Sequence, residues 1–333
     1  MPKRIVCRVL TGPTASGKTE LSLAIAQKLH LDIICMDSMQ VYRRMDIGTA
    51  KPDARERALV PHHMLDIREP SETFSVSEYV EEAEKLVKDL AGEGREALFV
   101  GGTGLYLQAL IHPYGMGSVP ANEERREELN ALALSPGGKE ALHRMLEALD
   151  PTTAQRLPLN DIRRTIRAIE VTEATGIPFS AQKDRAEDSP FEWRVASTEM
   201  DRSLLNERIN ARVGRMIEAG LKEEVASLLA EGIPDSARSM CAIGYKEMIP
   251  CVRGEYSIDE AAEQIRMGSR RYAKRQMTLL RRVDGIRFID ALSASAEQAV
   301  IDILQKKRDD KYGTCSVPHP AGGKGAGTAV PAY

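Results

Sequence analysis

The chain has 333 residues, 42% of them hydrophobic and 29% charged, with a formal net charge of −3. That is apolar material for a large core, and the acidic balance argues against a uniformly basic nucleic-acid binder. No run approaches the roughly 18 apolar residues of a membrane helix, and no leader-like apolar region follows Met1-Pro2-Lys3-Arg4, so the expected location is the cytoplasm. Cys7, Cys35, Cys241, Cys251 and Cys315 form no CxxC pair, so neither a zinc site nor a disulfide framework is indicated.

Taken in chain order, Arg4 to Leu10 is apolar and β-branched enough to be a buried strand. Gly12 to Gly17 reads as a loop, and Lys18 to Leu29 as a helix with Leu21, Ala24, Ile25 and Leu29 on one face. Asp32 to Met36 is a second strand. Ser75-Val76-Ser77-Glu78 has the form of a capping box, and Tyr79, Val80, Ala83, Val87 and Leu90 then keep a helical period. Glu96 to Val100 is a third strand, ending in Gly101-Gly102-Thr103-Gly104. Strands alternating with helices imply a mainly parallel α/β sheet.

Strand signals then nearly vanish. Asn122 to Leu134, Lys139 to Leu149 and Asp161 to Ala174 read as helices, the last stopped by Gly176 and Pro178. Trp193 to Met200 returns as a strand, followed by helices at Ser203 to Ala219, Leu221 to Glu231 and Ile258 to Arg282. The expected division is a core in two parts, 1–113 and 195–306, an all-helical insertion at 114–194, and a disordered tail at 307–333 rich in Gly, Pro and Ala.

Gly12-Pro13-Thr14-Ala15-Ser16-Gly17-Lys18-Thr19 satisfies G-x-x-x-x-G-K-[ST] between a strand and a helix. Glycines let the backbone wrap a phosphate, inward amides and the helix N-terminus attract it, and Lys18 adds a full charge. The Thr19 hydroxyl suits Mg²⁺. The fold class is therefore an α/β, P-loop NTPase-like core. The loop indicates a diphosphate or triphosphate without naming ATP. Asp37, at the end of the second strand, suits either a metal carboxylate or a general base. From Arg266 to Arg282 stand Arg266, Arg270, Arg271, Lys274, Arg275, Arg281 and Arg282 with no acidic residue among them, a local field suited to a polyanion. His62-His63 lacks a third ligand at metal spacing and reads as a turn after Pro61 within reach of Asp66; Trp193 reads as a packing residue.

An ordered set of further motifs resembles the tRNA dimethylallyltransferase (isopentenyl-tRNA transferase) family. It comprises Asp37-Ser38-Met39-Gln40-Val41-Tyr42, Met45-Asp46-Ile47-Gly48-Thr49-Ala50-Lys51-Pro52, Pro61 to Ile67, Gly101 to Tyr106, and Asn160-Asp161 with Arg163, Arg164 and Arg167. Ala242 to Glu247 and Arg275-Gln276 complete it, and the resemblance runs from about Ile5 to Asp290. It implies an enzyme that moves the dimethylallyl group of dimethylallyl diphosphate, with Mg²⁺, onto N6 of the adenosine just 3′ of the anticodon in tRNAs reading U-starting codons. On matching positions it implies Asp37 as base with Thr103 beside the reacting groups. Gly12, Thr14, Ala15, Ser16, Gly17, Lys18, Thr19 and Arg208 would hold diphosphate, with Thr19 on the metal. The tRNA contacts would be Asp37, Ser38, Met39 and Gln40; Arg125; Arg163, Arg164, Thr165, Ile166 and Arg167; Met240, Cys241, Ala242, Ile243, Gly244 and Tyr245; and Lys274, Arg275 and Gln276. A monomer is expected. Two positions depart from the family pattern: Arg44 stands where glycine is usual, and Leu279 where tryptophan is frequent.

Overall fold

The computed structural model describes residues 4–111, 122–182 and 189–306, which fall into two compact units: 4–111 with 189–306, and 122–182. In the first unit the elements run β1 (Ile5–Thr11), α1 (Lys18–Leu29), β2 (Leu31–Cys35), α2 (Ala54–Leu59), β3 (His62–His63), α3 (Val76–Gly92), β4 (Glu96–Val100) and α4 (Gly104–Ile111). The second unit contributes α5 (Glu123–Leu134), α6 (Gly138–Leu149), α7 (Pro151–Arg156) and α8 (Ile162–Thr175). The first unit resumes with β5 (Phe191–Glu199), α9 (Arg202–Glu218), α10 (Leu221–Ala230), α11 (Tyr245–Val252), α12 (Ile258–Leu280), β6 (Arg287–Asp290) and α13 (Ala296–Gln305). Because β5 already begins at Phe191, the last residues assigned to the helical insertion belong to the sheet. The expected tail, 307–333, lies outside the described residues.

The six strands form one sheet in the order β3-β2-β4-β1-β5-β6, and every described pairing is parallel. A parallel sheet is covered on both faces, and the alternation of side chains sorts its residues into two cores. Cys7, Val9, Ile34, Phe99 and Trp193 point into one core, shared with α3, α4, α10, α11 and α12. Leu10, Leu31, Ile33, Leu98 and Ala196 point into the other, shared with α1 and α13. Trp193 is thus the packing residue its sequence context suggests.

Caps fix where the helices begin. Ser75 and Glu78 close a capping box on α3, and Ser257 and Glu260 do the same on α12. In the second unit Asp161 caps α8, which stops at Gly176 in the left-handed conformation (φ 67°). Leu129, Leu142, Leu146, Ile166 and Ile169 form that unit's core. Glu170 is buried there, with Arg126 Nε at 2.7 Å and Arg167 Nη1 at 3.3 Å.

His62-His63 is not a turn but the edge strand β3, paired with Ile33 and Ile34. Asp66 does not pair with these histidines; it takes Lys51 Nζ and Arg57 Nη1, each at 2.7 Å. His63 Nε2 instead meets Asp32 at 2.5 Å. Buried Lys51 also reaches Asp46 at 2.7 Å and the Tyr42 carbonyl at 2.6 Å, which ties the 42–51 segment into one body.

Candidate active site

Open parallel sheets leave a crevice at the carboxyl ends of their strands, where successive connections diverge. Here β1, at the centre of the sheet, delivers the 12–19 loop to that edge, and β2 and β4 end beside it in Asp37 and Gly101-Gly102. These segments line a cleft of about 1110 Å³ together with Gln40, Ile47, Thr49, Lys51, Arg208, Arg212, Arg215, Met216, Tyr272 and Gln276.

The loop is held from several directions. Gly12 has φ 143°, and a Cβ there would stand 2.1 Å from Thr198 Oγ1 on β5, so only glycine fits. Ser16 Oγ and Thr198 Oγ1 share a hydrogen bond of 2.7 Å. From α9, Arg208 Nε donates to the Ala15 carbonyl at 2.9 Å. From α12, Gln276 Oε1 accepts the Thr14 amide at 2.9 Å while its Nε2 donates to the Gly102 carbonyl at 2.8 Å. Lys18 Nζ donates to the carbonyls of Gly12 (2.9 Å) and Pro13 (2.6 Å).

The cleft is short of negative charge. Burial first and Arg212 second lower the Lys18 pKa to about 7, with Asp37 only partly opposing them. Arg212 is lowered by the same burial, with Asp37 again opposing and Arg215 adding repulsion. Crowded, partly dehydrated cations of this kind favour a polyanion, whose charge offsets both burial and mutual repulsion.

Asp37 and Thr103 are brought together by backbone. Thr103 Oγ1 accepts the Ser38 amide at 3.1 Å, the Thr103 amide donates to the Met36 carbonyl at 3.3 Å, and Asp37 Oδ1 accepts the Met39 amide at 2.9 Å. Asp37 lines the cleft; the Thr103 oxygen braces the turn that carries it. A Cβ at Gly101 would fall 2.0 Å from the Met36 carbonyl oxygen, so the glycine lets β2 and β4 ends approach this closely. Thr19 is exposed in the first turn of α1 on the same cleft, and the available donors, a hydroxyl and a carboxylate, are hard oxygens that fit Mg²⁺. Among the described residues no group of three or more His, Cys, Asp or Glu side chains forms a dedicated metal cage.

The residues singled out for RNA fare unevenly. Lys274 and Cys241 are exposed, and Ser38, Met39, Arg275 and Ile243 are half-buried. Gln276 is buried with both ends of its amide engaged, so in this arrangement it is a strut between the phosphate loop and Gly102, not an inserted reader. Met240, Ala242, Gly244 and Tyr245 also face inward, leaving Cys241 and Ile243 as the reachable side chains of that segment. Gln40 Nε2 is spent on the Thr49 and Ala50 carbonyls at 3.1 and 3.2 Å. In the second unit Arg163 and Arg164 are exposed, whereas Thr165 and Ile166 are core residues. Arg125 is tied to Glu173 at 2.8 Å and Glu128 at 2.8 Å.

Arg44 keeps the backbone that its glycine-favouring position demands, at φ 61°, and its guanidinium reaches Glu69 at 2.5 Å and Glu231 at 2.9 Å. Leu279 packs on Gly104, where a Cβ would lie 2.5 Å from its Cδ2. Sequence reasoning missed Glu224. Its carboxylate takes the amides of Asp46 (3.0 Å), Ile47 (2.8 Å) and Gly48 (3.2 Å) and the Tyr245 hydroxyl (2.5 Å), pinning the cleft wall to α10. The only sequence signal was the pairing of an Asp-Ile-Gly-Thr segment with a distant Gly-Tyr.

Fold and cleft define a P-loop α/β protein whose phosphate loop opens into a basic cleft. A family model described as IPP transferase matches residues 40–283, and the chain belongs to the IPP transferase family. The match begins after the phosphate loop, so the loop is an independent observation. The tRNA dimethylallyltransferase of Geobacillus thermodenitrificans is 46% identical over 291 residues, covering 87% of this chain and 91% of its own. That of Carboxydothermus hydrogenoformans is 43% identical over 298 residues, covering 89% and 95%. The crystal structure of the full-length tRNA isopentenylpyrophosphate transferase from Bacillus halodurans aligns with TM-score 0.66 at 40% identity, covering 91% of this chain and 95% of that one. A eukaryotic dimethylallyltransferase solved acting on tRNA aligns with TM-score 0.76 at 26% identity, covering 89% and 77%.

Proposed function

We propose that the chain transfers the dimethylallyl group of dimethylallyl diphosphate to N6 of the adenosine just 3′ of the anticodon in tRNAs reading U-starting codons, releasing diphosphate. The observation that carries this reading is that the phosphate loop and the Asp37 carboxylate line one cleft. Family membership and the activities for which the relatives are named support the same reaction.

In this reading the loop amides, Lys18 and Arg208 hold the diphosphate. The adenine amine is a weak nucleophile because its lone pair is delocalised into the ring. Asp37 accepts a hydrogen bond from it and takes its proton as the N6–carbon bond forms. The allylic carbon–oxygen bond breaks, and its electron pair leaves with the diphosphate, whose growing charge Lys18 and Arg208 stabilise. Arg208 already lies against the loop through Ala15, so little reorganisation is required. Thr19 would hold Mg²⁺, which when bound would supply further charge neutralisation at the leaving group. Ile47, Met216 and Val100 give the hydrocarbon an apolar wall. The acceptor base leaves its stack at a cost of roughly a few kcal/mol, least in a loop.

The protein acts as a monomer in the cytoplasm in this reading, to be checked by sedimentation and cell fractionation. Among the described residues no helix is long and apolar enough to cross a membrane. The deciding assay mixes protein, an anticodon stem-loop, dimethylallyl diphosphate and Mg²⁺, and weighs the RNA. One added dimethylallyl group is expected, with no transfer of label from ATP in a parallel reaction. Asp37→Ala should abolish transfer while the stem-loop still binds. Transfer retained by that variant refutes the base role, and unmodified RNA with folded wild-type protein refutes the reaction.

A further inference from the structure

Helices α9 and α12 run antiparallel. Arg270 Nη1 on α12 donates to Asn210 Oδ1 on α9 at 3.3 Å, while Lys274 lies with Arg202 and Asn206 around a common pocket nearer the start of α9. Their buried seam is Leu205, Ile209 and Ala273, and Ala15 of the phosphate loop packs against it. At about 100° per residue, Arg208 and Gln276 project to one side of this seam and brace the loop. Arg202, Asn206, Arg270, Arg271 and Lys274 project to the other side. There, with Met267, they line a separate pocket of about 320 Å³.

This pocket is unusual in its charge. Many surface arginines of the protein are spent on carboxylates, among them Arg43, Arg44, Arg57, Arg68, Arg126 and Arg253. Arg270 shares Glu263 with Arg266, at 2.7 and 3.4 Å. Arg202, Arg271 and Lys274 have no ion pair and no side-chain hydrogen bond among the described residues. Cations from two helices converge on one concavity, and the field they create there favours an anion. The diphosphate already has the glycine-rich loop on the far side of the seam. The two sides are about one helix diameter apart, roughly 10 Å, which a single RNA strand bridges between a base and a nearby phosphate.

We propose that the pocket between α9 and α12 binds a backbone phosphate of the RNA acceptor, close to the nucleotide whose base enters the cleft. The assignment rests on the reading that the acceptor is RNA. Arg202 and Arg271 offer forked donors to the phosphate oxygens, Asn206 a neutral one, and Lys274 a point charge. The contact positions the strand without reading its sequence.

The test compares wild type, Arg202→Ala, Arg271→Ala, Arg202→Lys and the control Lys85→Ala, whose exposed side chain pairs with Asp89 on α3. Stem-loop binding without donor is followed by fluorescence anisotropy across a salt series, and transfer kinetics are measured with each substrate varied. Each alanine variant in the pocket should weaken stem-loop binding roughly five- to tenfold and flatten the salt slope by about 0.7 per lost contact. Stem-loop KM should rise with kcat and donor KM unchanged, and Arg202→Lys should restore most of the slope. An unchanged slope, or an equal loss in Lys85→Ala, overturns the assignment, and a raised donor KM reassigns the pocket to free diphosphate. Failure of the wild type to modify the stem-loop sinks the transferase reading; a normal wild type with an indistinguishable Arg202→Ala sinks only the pocket.

Discussion

Replacing Glu224 should damage both the fold and the cleft, and the structure gives the size of the effect. One carboxylate receives three consecutive backbone amides, of Asp46, Ile47 and Gly48, and the hydroxyl of buried Tyr245. Hydrogen bonds to a charged group are each worth about 1.5–3 kcal/mol, and a donor left buried without a partner adds its own cost. Glu224 is half-buried, so water recovers part of that loss. Glu224→Ala should therefore cost about 3–5 kcal/mol, a large share of the roughly 5–15 kcal/mol typical of a folded domain. Glu224→Gln keeps the shape but turns one acceptor into a donor facing donors, at about 2–3 kcal/mol, and Tyr245→Phe loses one bond, at about 1–2 kcal/mol. Gly48 belongs to the same clamp, since a Cβ there would lie 2.4 Å from the Tyr245 ring. Urea unfolding of the three variants measures stability, and donor KM reports the wall, because residues 46–47 and 49–53 line the cleft. If Glu224→Gln unfolds within about 0.5 kcal/mol of wild type, the clamp is not what holds this wall.

Two further outcomes follow from the charges. The Lys18 pKa is lowered to about 7, so between that value and 10.5 the unfolded chain holds more protons, and this group favours the ligand-free folded state as pH rises. Bound diphosphate reverses the balance by drawing a proton onto Lys18. Donor affinity should therefore fall, by up to tenfold per pH unit, as pH rises above about 7. Titration calorimetry in buffers of different ionisation heat reports the proton directly; pH-independent binding refutes the linkage. Arg44→Gly relieves a left-handed non-glycine residue, worth about 1 kcal/mol, and loses two half-exposed ion pairs worth about 0–1 kcal/mol each. Urea midpoints should leave the glycine variant near wild type and the alanine variant about 1 kcal/mol below it; equal stability of the two would mean that the backbone there is unstrained.

What the sequence made legible was whatever has a period or a local grammar. The phosphate loop between β1 and α1, the alternating Val9 and Leu10, and the capping box before α3 all declare themselves within a dozen residues. Strand β3 has only two residues and carries no periodicity to detect, so His62-His63 read as a turn. Helix α11 contains Pro250, which reads as a breaker until tertiary contacts hold it. The family resemblance places Gln276, which stands in a basic run, against the RNA. Its burial is decided by Gly102 and Thr14, both far away in the chain. The basic run itself looked free of acid, because Glu263, which takes Arg266 and Arg270, stands just before its start.

The arrangement also explains why the phosphate loop cannot be understood from the first half of the chain. Its Ala15 carbonyl is held by Arg208 and its Thr14 amide by Gln276, across 193 and 262 positions of sequence. A loop closed by residues so distant becomes ordered only when β5, α9 and α12 have folded onto β1, because contacts of that separation carry a loop-closure cost that cooperative packing must first offset. Fragments that stop before α9 keep the glycines and Lys18 but lose both struts, and their loop lacks the preorganisation on which tight diphosphate binding depends. The same pair of helices presents Arg202, Arg271 and Lys274, which have no ion pair among the described residues, on the opposite side of its seam. A displacement of α9 against α12 would therefore move the loop braces and the basic pocket together. On the proposed assignment of loop and pocket, donor and acceptor binding are coupled through one packed seam, so loosening it at Ala273 or Ile209 should weaken the effect of bound donor on stem-loop affinity.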